Sequence, residues 1–575
     1  MLFKIFAIKI IMKHLYNFIS LLIILSPSLS LGQPNTEGLQ VAFLADVHFQ
    51  DLYGSLSDNN YQGVINPYNG KPTLLRTMES QLHSTRIFNE NYFAFLAALD
   101  DIAKRGVRYV ALPGDYTDDG QPLHLRGLQR ILDEYSRNYG IQFFITTGNH
   151  DPVGPFAQQA GKDDFLGEGG KRQPIFSGEG MYKTNADELP VIITHDIAKM
   201  GYDDITTYLK DFGFFPKQNY LYWSTPFSNY DSDNYTYDKA TQQSAIKNRV
   251  YDVAPGYTVP DVSYLVEPVE GLWLLAIDGN VYVPKGNSNG DATNPKNYSG
   301  ADIGYNNVLS HKKHLIAWVK KVAEEAKKKG KTLIAFSHYP MVEFNDDASE
   351  EIESLMGKSK WQLDRVPVEE VAQTFADAGI KIHFGGHMHI NDTGIRTTPN
   401  GNTIVNIQTP SLAAYIPAYK LLTIKNNQAE IETITIDEVK RFDELFALYR
   451  IEHKYLEDKN SETIWDDAIL HTKSYHEFTD YHLKELVRLR FLADDWPTDF
   501  KHFFMNLSGY DLLVLANNDT AQTKKQLQNH NLKPADFKNW KGLDMVIDFY
   551  RLRSADRLAI TDIGCLLYTS PSPRD

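Results

Sequence analysis

The stretch FGGHMHIND, residues 384–392, places two histidines one residue apart, directly behind a pair of glycines. Because alternate residues of a strand point to the same side, His387 and His389 are expected to face one site. A buried imidazole needs a hydrogen-bond partner or a metal ion. The stretch alone permits two interpretations, a turn with two hydrogen-bonded histidines or part of a metal centre, and the rest of the chain decides between them.

Six short apolar runs each end in a polar or glycine-rich cluster, and the quoted stretch ends the last of them. They are LQVAFLADVH (39–48), VRYVALPGD (107–115), IQFFITTGNHD (141–151), GLWLLAIDGN (271–280), KTLIAFSHYP (331–340) and IKIHFGGHMH (380–389). Helical patterns lie between several of these runs, at 89–106, 125–140 and 314–330. Buried strands that alternate with helices predict an α/β core.

Polar side chains follow five of these predicted strands at their carboxyl ends, where α/β sheets bind ligands. The residues are Asp46, His48, Asp115, Asn149, His150, Asp151, His338, His387 and His389. Carboxylate, imidazole and amide groups together suit Zn²⁺, Mn²⁺ or iron, and the lack of thiolates argues against a cysteine-built structural zinc site. The set has enough ligands for two ions, and two ions ~3.5–4 Å apart can clamp both oxygens of a displacement at phosphorus.

In chain order, the motifs D-x-H, G-D, G-N-H-D, a lone His and G-H-x-H resemble those of the calcineurin-like metallophosphoesterases, over roughly residues 39–436. The resemblance implies a four-layer α/β/β/α sandwich with a dinuclear metal centre between its two sheets. It assigns Asp46, His48 and His389 to the first ion, Asn149, His338 and His387 to the second, and Asp115 to both.

The same resemblance implies a mechanism. Two divalent ions, of zinc, manganese or iron, activate a bridging water, and its hydroxide attacks phosphorus in line. His150 then stands beside the leaving group as an acid or charge stabiliser, and Asp151 orients it. Purple acid phosphatases have G-D-x-x-Y and D-x-G, whereas this chain has Asp118 at the tyrosine position and D-x-H. This difference argues against a redox-active ferric centre.

Arg86 and Asn89, in STRIFNENYF, are further candidates for binding the substrate phosphate. Arginine suits this role because its planar fork makes bidentate contacts with phosphate oxygens. Helix capping or local pairing is the competing interpretation for both residues. Asp118 and Asp119 are expected only to shape the loop that follows Asp115.

The 575 residues divide into several predicted segments. They are a secretory signal peptide (1–32), a metallophosphoesterase domain (33–437) with an insertion over its core (152–270), a truncated helical region (438–564) and a tail (565–575) that resembles a translated sequencing adapter. On this interpretation Cys565, the one cysteine of the chain, is not native. The leader predicts export to the periplasm or the exterior, and its apolar run is too short to predict a transmembrane segment.

The chain contains 73 acidic and 58 basic residues and has a formal charge of −15. An acidic surface argues against duplex nucleic acid as a partner. The expected substrate is therefore a small phosphate ester, with a phosphodiester slightly favoured over a phosphomonoester. Two alternatives stay open: a secreted 5′-nucleotidase-like phosphatase, and a catalytically silent, metal-bound module that binds a glycan or a protein.

Overall fold

The computed structural model describes residues 38–286, 290–358 and 360–563. The predicted signal peptide and the adapter-like tail, with Cys565, lie outside the described residues. Within these ranges, no helix combines the length and the apolar character that crossing a membrane requires. Two central sheets and the helices around them form most of the structure.

The described residues form the strands of two large sheets and three small ones. They are β1 Leu39–Phe43, β2 Val64–Ile65, β3 Pro72–Thr73, β4 Tyr109–Pro113, β5 Gln142–Thr146, β6 Gly161–Leu166, β7 Arg172–Phe176, β8 Ile192–Ile193, β9 Tyr222–Ser224, β10 Val250–Ala254, β11 Tyr257–Pro260, β12 Tyr264–Val269, β13 Leu272–Ile277, β14 Thr332–Ser337, β15 Ile382–Gly385, β16 Asp392–Thr397, β17 Thr403–Gln408, β18 Ala418–Lys425 and β19 Gln428–Thr435.

The α-helices are numbered in chain order in the same way as the strands. They are α1 Met78–Leu82, α2 Asn91–Lys104, α3 Pro122–Tyr139, α4 Tyr202–Tyr208, α5 Tyr237–Gln243, α6 Tyr305–His311, α7 Lys313–Lys329, α8 Ser349–Met356, α9 Glu369–Asp377, α10 Phe446–Asp458, α11 Tyr475–Leu486, α12 Leu492–Asp494, α13 Thr498–Met505, α14 Gly509–Asn517, α15 Thr520–Asn529 and α16 Gly542–Ala555. A π-helical segment, Val487–Phe491, joins α11 to α12. Helices α3 and α7 end at glycines with positive φ, Gly140 and Gly330, a typical helix stop.

The two large sheets pack face to face. The first has the strand order β19–β18–β1–β4–β5, and the second β16–β17–β15–β14–β13–β12–β9. Between them the ring of Phe43 stacks on that of Phe384, with centroids 3.7 Å apart. Helix α3 packs on the first sheet, and α7 and α9 pack on the second. The predicted four-layer α/β/β/α sandwich is therefore confirmed.

The segment 152–270 is not wholly an insertion, which corrects the prediction. Strands β9 and β12 extend the second sheet, because β12 pairs with both β13 and β9. The remainder of the segment does form added structure, including the small sheet β6–β7–β8 and the hairpin β10–β11. A three-residue strand such as β9 is too short to show a clear pattern in the sequence.

The helical region after β19 is present as predicted, but it is not separate from the core. On α10, Tyr449 donates a hydrogen bond to the Glu90 carboxylate at 2.7 Å, and Glu452 accepts one from the Met78 N–H at 2.8 Å. Further along, α13, α14 and α16 share an apolar cluster with Trp361 of the α/β part. The region therefore packs against the sandwich at two places.

Candidate metal centre and active site

An unusual backbone conformation marks most of the predicted ligands. Five of them have positive φ: Asp46 (50°), His48 (42°), Asp115 (48°), His387 (73°) and His389 (56°). For residues other than glycine this conformation costs about 1–3 kcal/mol each, and it concentrates at functional sites. The strain at these strand ends is offset by the surrounding structure, which directs all five side chains to one place.

Two motif glycines give the carboxylates room. A Cβ on Gly148 would lie 2.2 Å from Asp115 Oδ1, and a Cβ on Gly386 would lie 2.4 Å from Asp46 Oδ2. Real Cβ atoms do not approach an oxygen so closely, so any larger residue would displace the carboxylate. This close approach explains the glycines in G-N-H-D and G-G-H-M-H.

The first cluster contains Asp46, His48 and His389, whose ligand atoms all lie within 4.8 Å of one another. The Nε2 atoms of His48 and His389 are 3.1 Å apart, and His389 Nε2 lies 3.5 Å from Asp46 Oδ1. The backbone N–H of His387 donates to both Asp46 oxygens, at 3.0 and 2.9 Å. Two imidazole nitrogens and a fixed carboxylate oxygen in this arrangement fit a metal ion.

The second cluster surrounds His338. Its Nδ1 donates to the Pro113 carbonyl at 3.0 Å, so its Nε2 is the atom that faces the site. That Nε2 lies 3.0 Å from Asn149 Oδ1, 3.1 Å from His387 Nδ1 and 3.2 Å from Asp115 Oδ2. These neighbours present lone pairs, so a proton or a metal cation has to lie among them.

Asp115 lies between the two clusters. Its Oδ2 is 3.2 Å from His338 Nε2 in the second cluster and 3.9 Å from His48 Nε2 in the first. Its Oδ1 accepts a hydrogen bond from the His150 N–H at 2.8 Å. The position fits a carboxylate shared by two ions, and the structure thus brings all seven predicted ligands together.

The electrostatics of the clusters also fit cations. Burial raises the pKa of Asp46 to about 8 and lowers that of His389 to about 3. Burial lowers the pKa of His338 too, but the Asp115 carboxylate raises it to about 9 overall. Within the described residues, neither Asp46 nor Asp115 pairs with a lysine or an arginine. Bound cations would compensate these buried carboxylates.

His150 is oriented by a residue that the sequence did not indicate. Its Nδ1 lies 2.5 Å from Asp119 Oδ1, and its Nε2 lies 3.3 Å from Arg86 Nη1. The Asp151 carboxylate instead accepts hydrogen bonds from the N–H and the hydroxyl of Thr117. The prediction that Asp151 orients His150 is wrong, because the Asp151 side chain turns back into the loop after Asp115.

Asp118 and Asp119, in the loop GDYTDDG, do more than shape that loop, which corrects the prediction made for them. Asp118 accepts hydrogen bonds from Arg86 at 3.2 and 2.7 Å, and Lys162 lies 3.0 Å from Asp118 and 3.1 Å from Asp119. The ligand atoms of Asp118, Asp119 and His150 lie within 4.8 Å of one another, close enough to hold a metal ion. Because protein cations already neutralise both carboxylates, we assign them to positioning Arg86 and His150.

Asn89 does not reach the site. It is fully buried, its Oδ1 accepts from the Arg76 N–H at 2.9 Å, and its Nδ2 donates to the Tyr449 hydroxyl at 2.9 Å. The prediction that Asn89 binds substrate is therefore wrong. Arg86, in contrast, lines the cavity beside the metal clusters, as a phosphate-binding residue must.

A cavity of about 430 Å³ opens in front of the clusters. One side carries Asp115, Asn149, His150, His387 and His389. The helical region supplies the other side, with His482, Leu483, Leu486, Arg490, Phe491, Arg553 and Ser554. Sequence analysis missed these residues, because no local motif connects them to the strand ends.

Comparison with known families gives one extensive match. The sequence model of the family described as calcineurin-like phosphoesterase matches residues 39–391. This range contains all seven predicted ligands and covers more than half of the chain. No curated protein sequence matches the chain.

Solved structures resemble the chain only distantly. A dimetal phosphatase from Danio rerio is 13% identical, with a TM-score of 0.33, over 70% of this chain and 99% of that one. GAP50, the anchor in the inner membrane complex of Plasmodium, is 12% identical, with a TM-score of 0.29, over 70% and 86%. The Thermus thermophilus sulfate thiohydrolase SoxB is 11% identical, with a TM-score of 0.27, over 74% and 62%.

Proposed function

Because the chain belongs to the calcineurin-like phosphoesterase family, whose members are metal-dependent phosphoric ester hydrolases, we propose that it cleaves a small phosphate ester in the cavity beside Asp115. The observation that carries the proposal is the pair of buried imidazole–carboxylate clusters that meet at Asp115. Asp46, His48 and His389 would hold one divalent ion, Asn149, His338 and His387 the other, and Asp115 both.

The ions would supply Lewis-acid charge and lower the pKa of water for in-line attack at phosphorus. The chain contributes the orientation of the ligands. The Pro113 carbonyl holds the Nδ1 proton of His338, which directs Nε2 into the site. The His387 N–H fixes both oxygens of Asp46 in the same way. Outer hydrogen bonds of this kind set the tautomer and the basicity of metal ligands.

His150 and Arg86 act on the substrate itself in this proposal. Asp119 holds Nδ1 of His150 and leaves Nε2 beside Arg86, which can only donate to it. With Arg86 bound to the substrate phosphate instead, a protonated Nε2 can give its proton to the departing alkoxide. Arg86 is held by Asp118 and presents its Nη1 beside the same nitrogen. From there its guanidinium can bind a phosphate oxygen and stabilise charge that develops during the reaction.

We favour a phosphodiester slightly over a phosphomonoester, because the cavity extends beyond the clusters and leaves room for a second ester arm. A 5′-nucleotidase-like phosphatase is the competing enzyme. Export to the periplasm or the exterior rests on the sequence of residues 1–32 alone. Cell fractionation with an antibody against the protein tests export separately from activity.

The first experiment measures turnover of bis-p-nitrophenyl phosphate and p-nitrophenyl phosphate by the purified protein loaded with zinc, manganese or iron. We expect metal-dependent hydrolysis with the diester preferred. Preference for the monoester would overturn the diester assignment and make AMP the next substrate to test. No hydrolysis of either ester with two ions bound, counted by elemental analysis, would overturn the proposed activity and favour a binding module.

A further inference from the structure

The cavity lining beyond the predicted metal ligands is basic, although the chain as a whole is acidic. Three arginines lie there: Arg365, which precedes α9, Arg490 in the π-helical segment, and Arg553 on α16. We call these three residues the arginine wall. They come from three separate segments, and the wall exists only because the helical region packs over the sandwich.

Arg553 has no carboxylate partner among the residues that the structure describes. Its guanidinium lies over the ring of Trp361, 5.2 Å from the centroid, and its Nε is buried without a hydrogen-bond partner. Burial lowers the pKa of Arg553, the nearby Tyr550 and Asp495 act to raise it, and the charge of Arg365 acts to lower it. The residue is half-buried at the cavity, and an anion there would compensate its charge.

The other two arginines are only weakly paired. Arg365 Nη2 lies 3.8 Å from Asp302 Oδ2, and Arg490 Nε lies 3.5 Å from Asp494 Oδ2. These distances are too long for the strong, short hydrogen bonds that arginine makes with a carboxylate. Donor groups of both side chains therefore remain for a ligand in the cavity.

A neighbour on the same helix shows what a structural arginine is like in this protein. Arg551 donates to both oxygens of Asp480, at 2.7 and 2.8 Å, and to Asp548 at 2.6 Å. Its charge is thus fully paired within the protein. Arg553, two residues later, lines the cavity instead.

The arginine wall is tied to the metal side of the cavity. The N–H of Asn391, two residues after the ligand His389, donates to the Ser554 carbonyl at 2.8 Å. The Asn391 side chain makes a longer contact with the Ala555 carbonyl, at 3.4 Å. These bonds hold the end of α16, and with it Arg553, beside the loop that carries His389.

We propose that the arginine wall is a second anion subsite, and that the substrate carries a further phosphate group, which these residues bind while the metal clusters hold the scissile phosphate. The proposal rests on the proposed phosphoesterase function and adds the class of substrate, a small molecule with two separate phosphates. The planar forks of arginine match phosphate oxygens bidentately. A carboxylate would satisfy the same donors, so the test includes one.

The test uses the full-length, metal-loaded protein and whichever p-nitrophenyl ester it hydrolyses. Inhibition constants are measured for propyl phosphate, for alkane-α,ω-diyl bisphosphates of increasing chain length, and for the matching ω-carboxyalkyl phosphates. We expect one bisphosphate to inhibit about tenfold or more better than propyl phosphate, and better than its carboxylate analogue. Equal inhibition by propyl phosphate, the bisphosphates and the carboxyalkyl phosphates would overturn the proposal. If a carboxyalkyl phosphate inhibits best, the second group of the substrate is a carboxylate, and the assignment of a second phosphate is overturned.

Variants locate the effect. Arg553→Met and Arg490→Met should each remove most of the preference for the bisphosphate, and Arg553→Lys should restore part of it. The control, Arg557→Met, removes an exposed arginine that lies outside the cavity. An equal loss in the control would show a general charge effect and overturn the proposal. Arg490 is partly exposed, so its variant tests the wall even if Arg553→Met does not fold.

The two failures are distinguishable. If no p-nitrophenyl ester is hydrolysed with two ions bound, the proposed function fails, and the inference fails with it. If the esters are hydrolysed but the bisphosphates have no advantage, the anion subsite alone is overturned.

Discussion

Two groups of aspartates lie close together in this protein and differ in what neutralises them. The metal-centre carboxylates, Asp46 and Asp115, face imidazoles. The loop carboxylates, Asp118 and Asp119, face arginine and lysine side chains. Although burial acts to raise it, Lys162 and the nearby arginines hold the pKa of Asp118 well below its usual range.

This difference indicates how a metal site can be distinguished from an ion-pair network when no metal ion is present in the structure. Burial alone does not distinguish the two groups, because both are buried. The distinguishing feature is which groups compensate the charge. Lysine and arginine do so for the loop carboxylates. Among the described residues, the metal-centre carboxylates have only histidines, such as His338, whose pKa Asp115 raises to about 9 against the effect of burial, and bound ions can take the place of those protons.

The substitution Asp115→Asn gives the largest expected effect. It removes the carboxylate shared by both clusters, so the protein should lose bound metal and about 10³-fold or more in kcat/KM. Elemental analysis and turnover of the p-nitrophenyl esters measure the two losses. Asp118→Asn is the matched control and should keep both ions. Full metal content in Asp115→Asn would break the comparison.

The second-largest expected effect is that of His150, and it separates loss of catalysis from loss of bound metal. His150→Ala should lower kcat by about 10²–10⁴, because it removes the proposed proton donor, while the metal content stays unchanged. The loss should be smaller for the p-nitrophenyl ester than for an alkyl ester, since a nitrophenolate leaves without protonation. Loss of metal together with activity would place His150 among the ligands.

A pair of isosteric variants tests which aspartate orients His150. Asp119→Asn should lower kcat by about 10–100-fold, because the ring loses its charged hydrogen-bond partner. Asp151→Asn keeps an acceptor for the Thr117 N–H and should change kcat by less than about threefold. The reverse order of the two effects would restore Asp151 to the role that the sequence predicted.

The smallest effect concerns Glu452, a buried carboxylate that has neither a metal cluster nor a paired cation beside it among the described residues. Burial raises the pKa of Glu452 from 4.5 to about 7, so the folded protein binds more protons than the unfolded chain between these values. Stability should therefore fall by on the order of 3 kcal/mol as the pH rises from about 4.5 to above 7. Thermal unfolding across this range measures it, and Glu452→Gln should remove this contribution. If the stability of Glu452→Gln has the same pH dependence as that of the unmodified protein, the prediction is contradicted.

Much of the α/β core and all of the metal clusters could be predicted because they are encoded locally. Every ligand lies at the end of an apolar run, and parallel strands bring their carboxyl ends to one edge. The partner of His150 could not be predicted, because Asp151 is adjacent to it in sequence, whereas Asp119 is 31 residues away and meets it only through the folding of the loop after Asp115. The arginine wall could not be predicted either, because Arg365, Arg490 and Arg553 meet only through tertiary packing.

The pairing of β18 with β1 has a practical consequence for recombinant fragments. The family match ends at residue 391, but β1 lies between β4 and β18, so a fragment that ends there would expose the apolar edge LQVAF. Unpaired apolar edges promote aggregation. A soluble fragment therefore has to extend beyond β19, and one that retains the basic side of the cavity has to include α16.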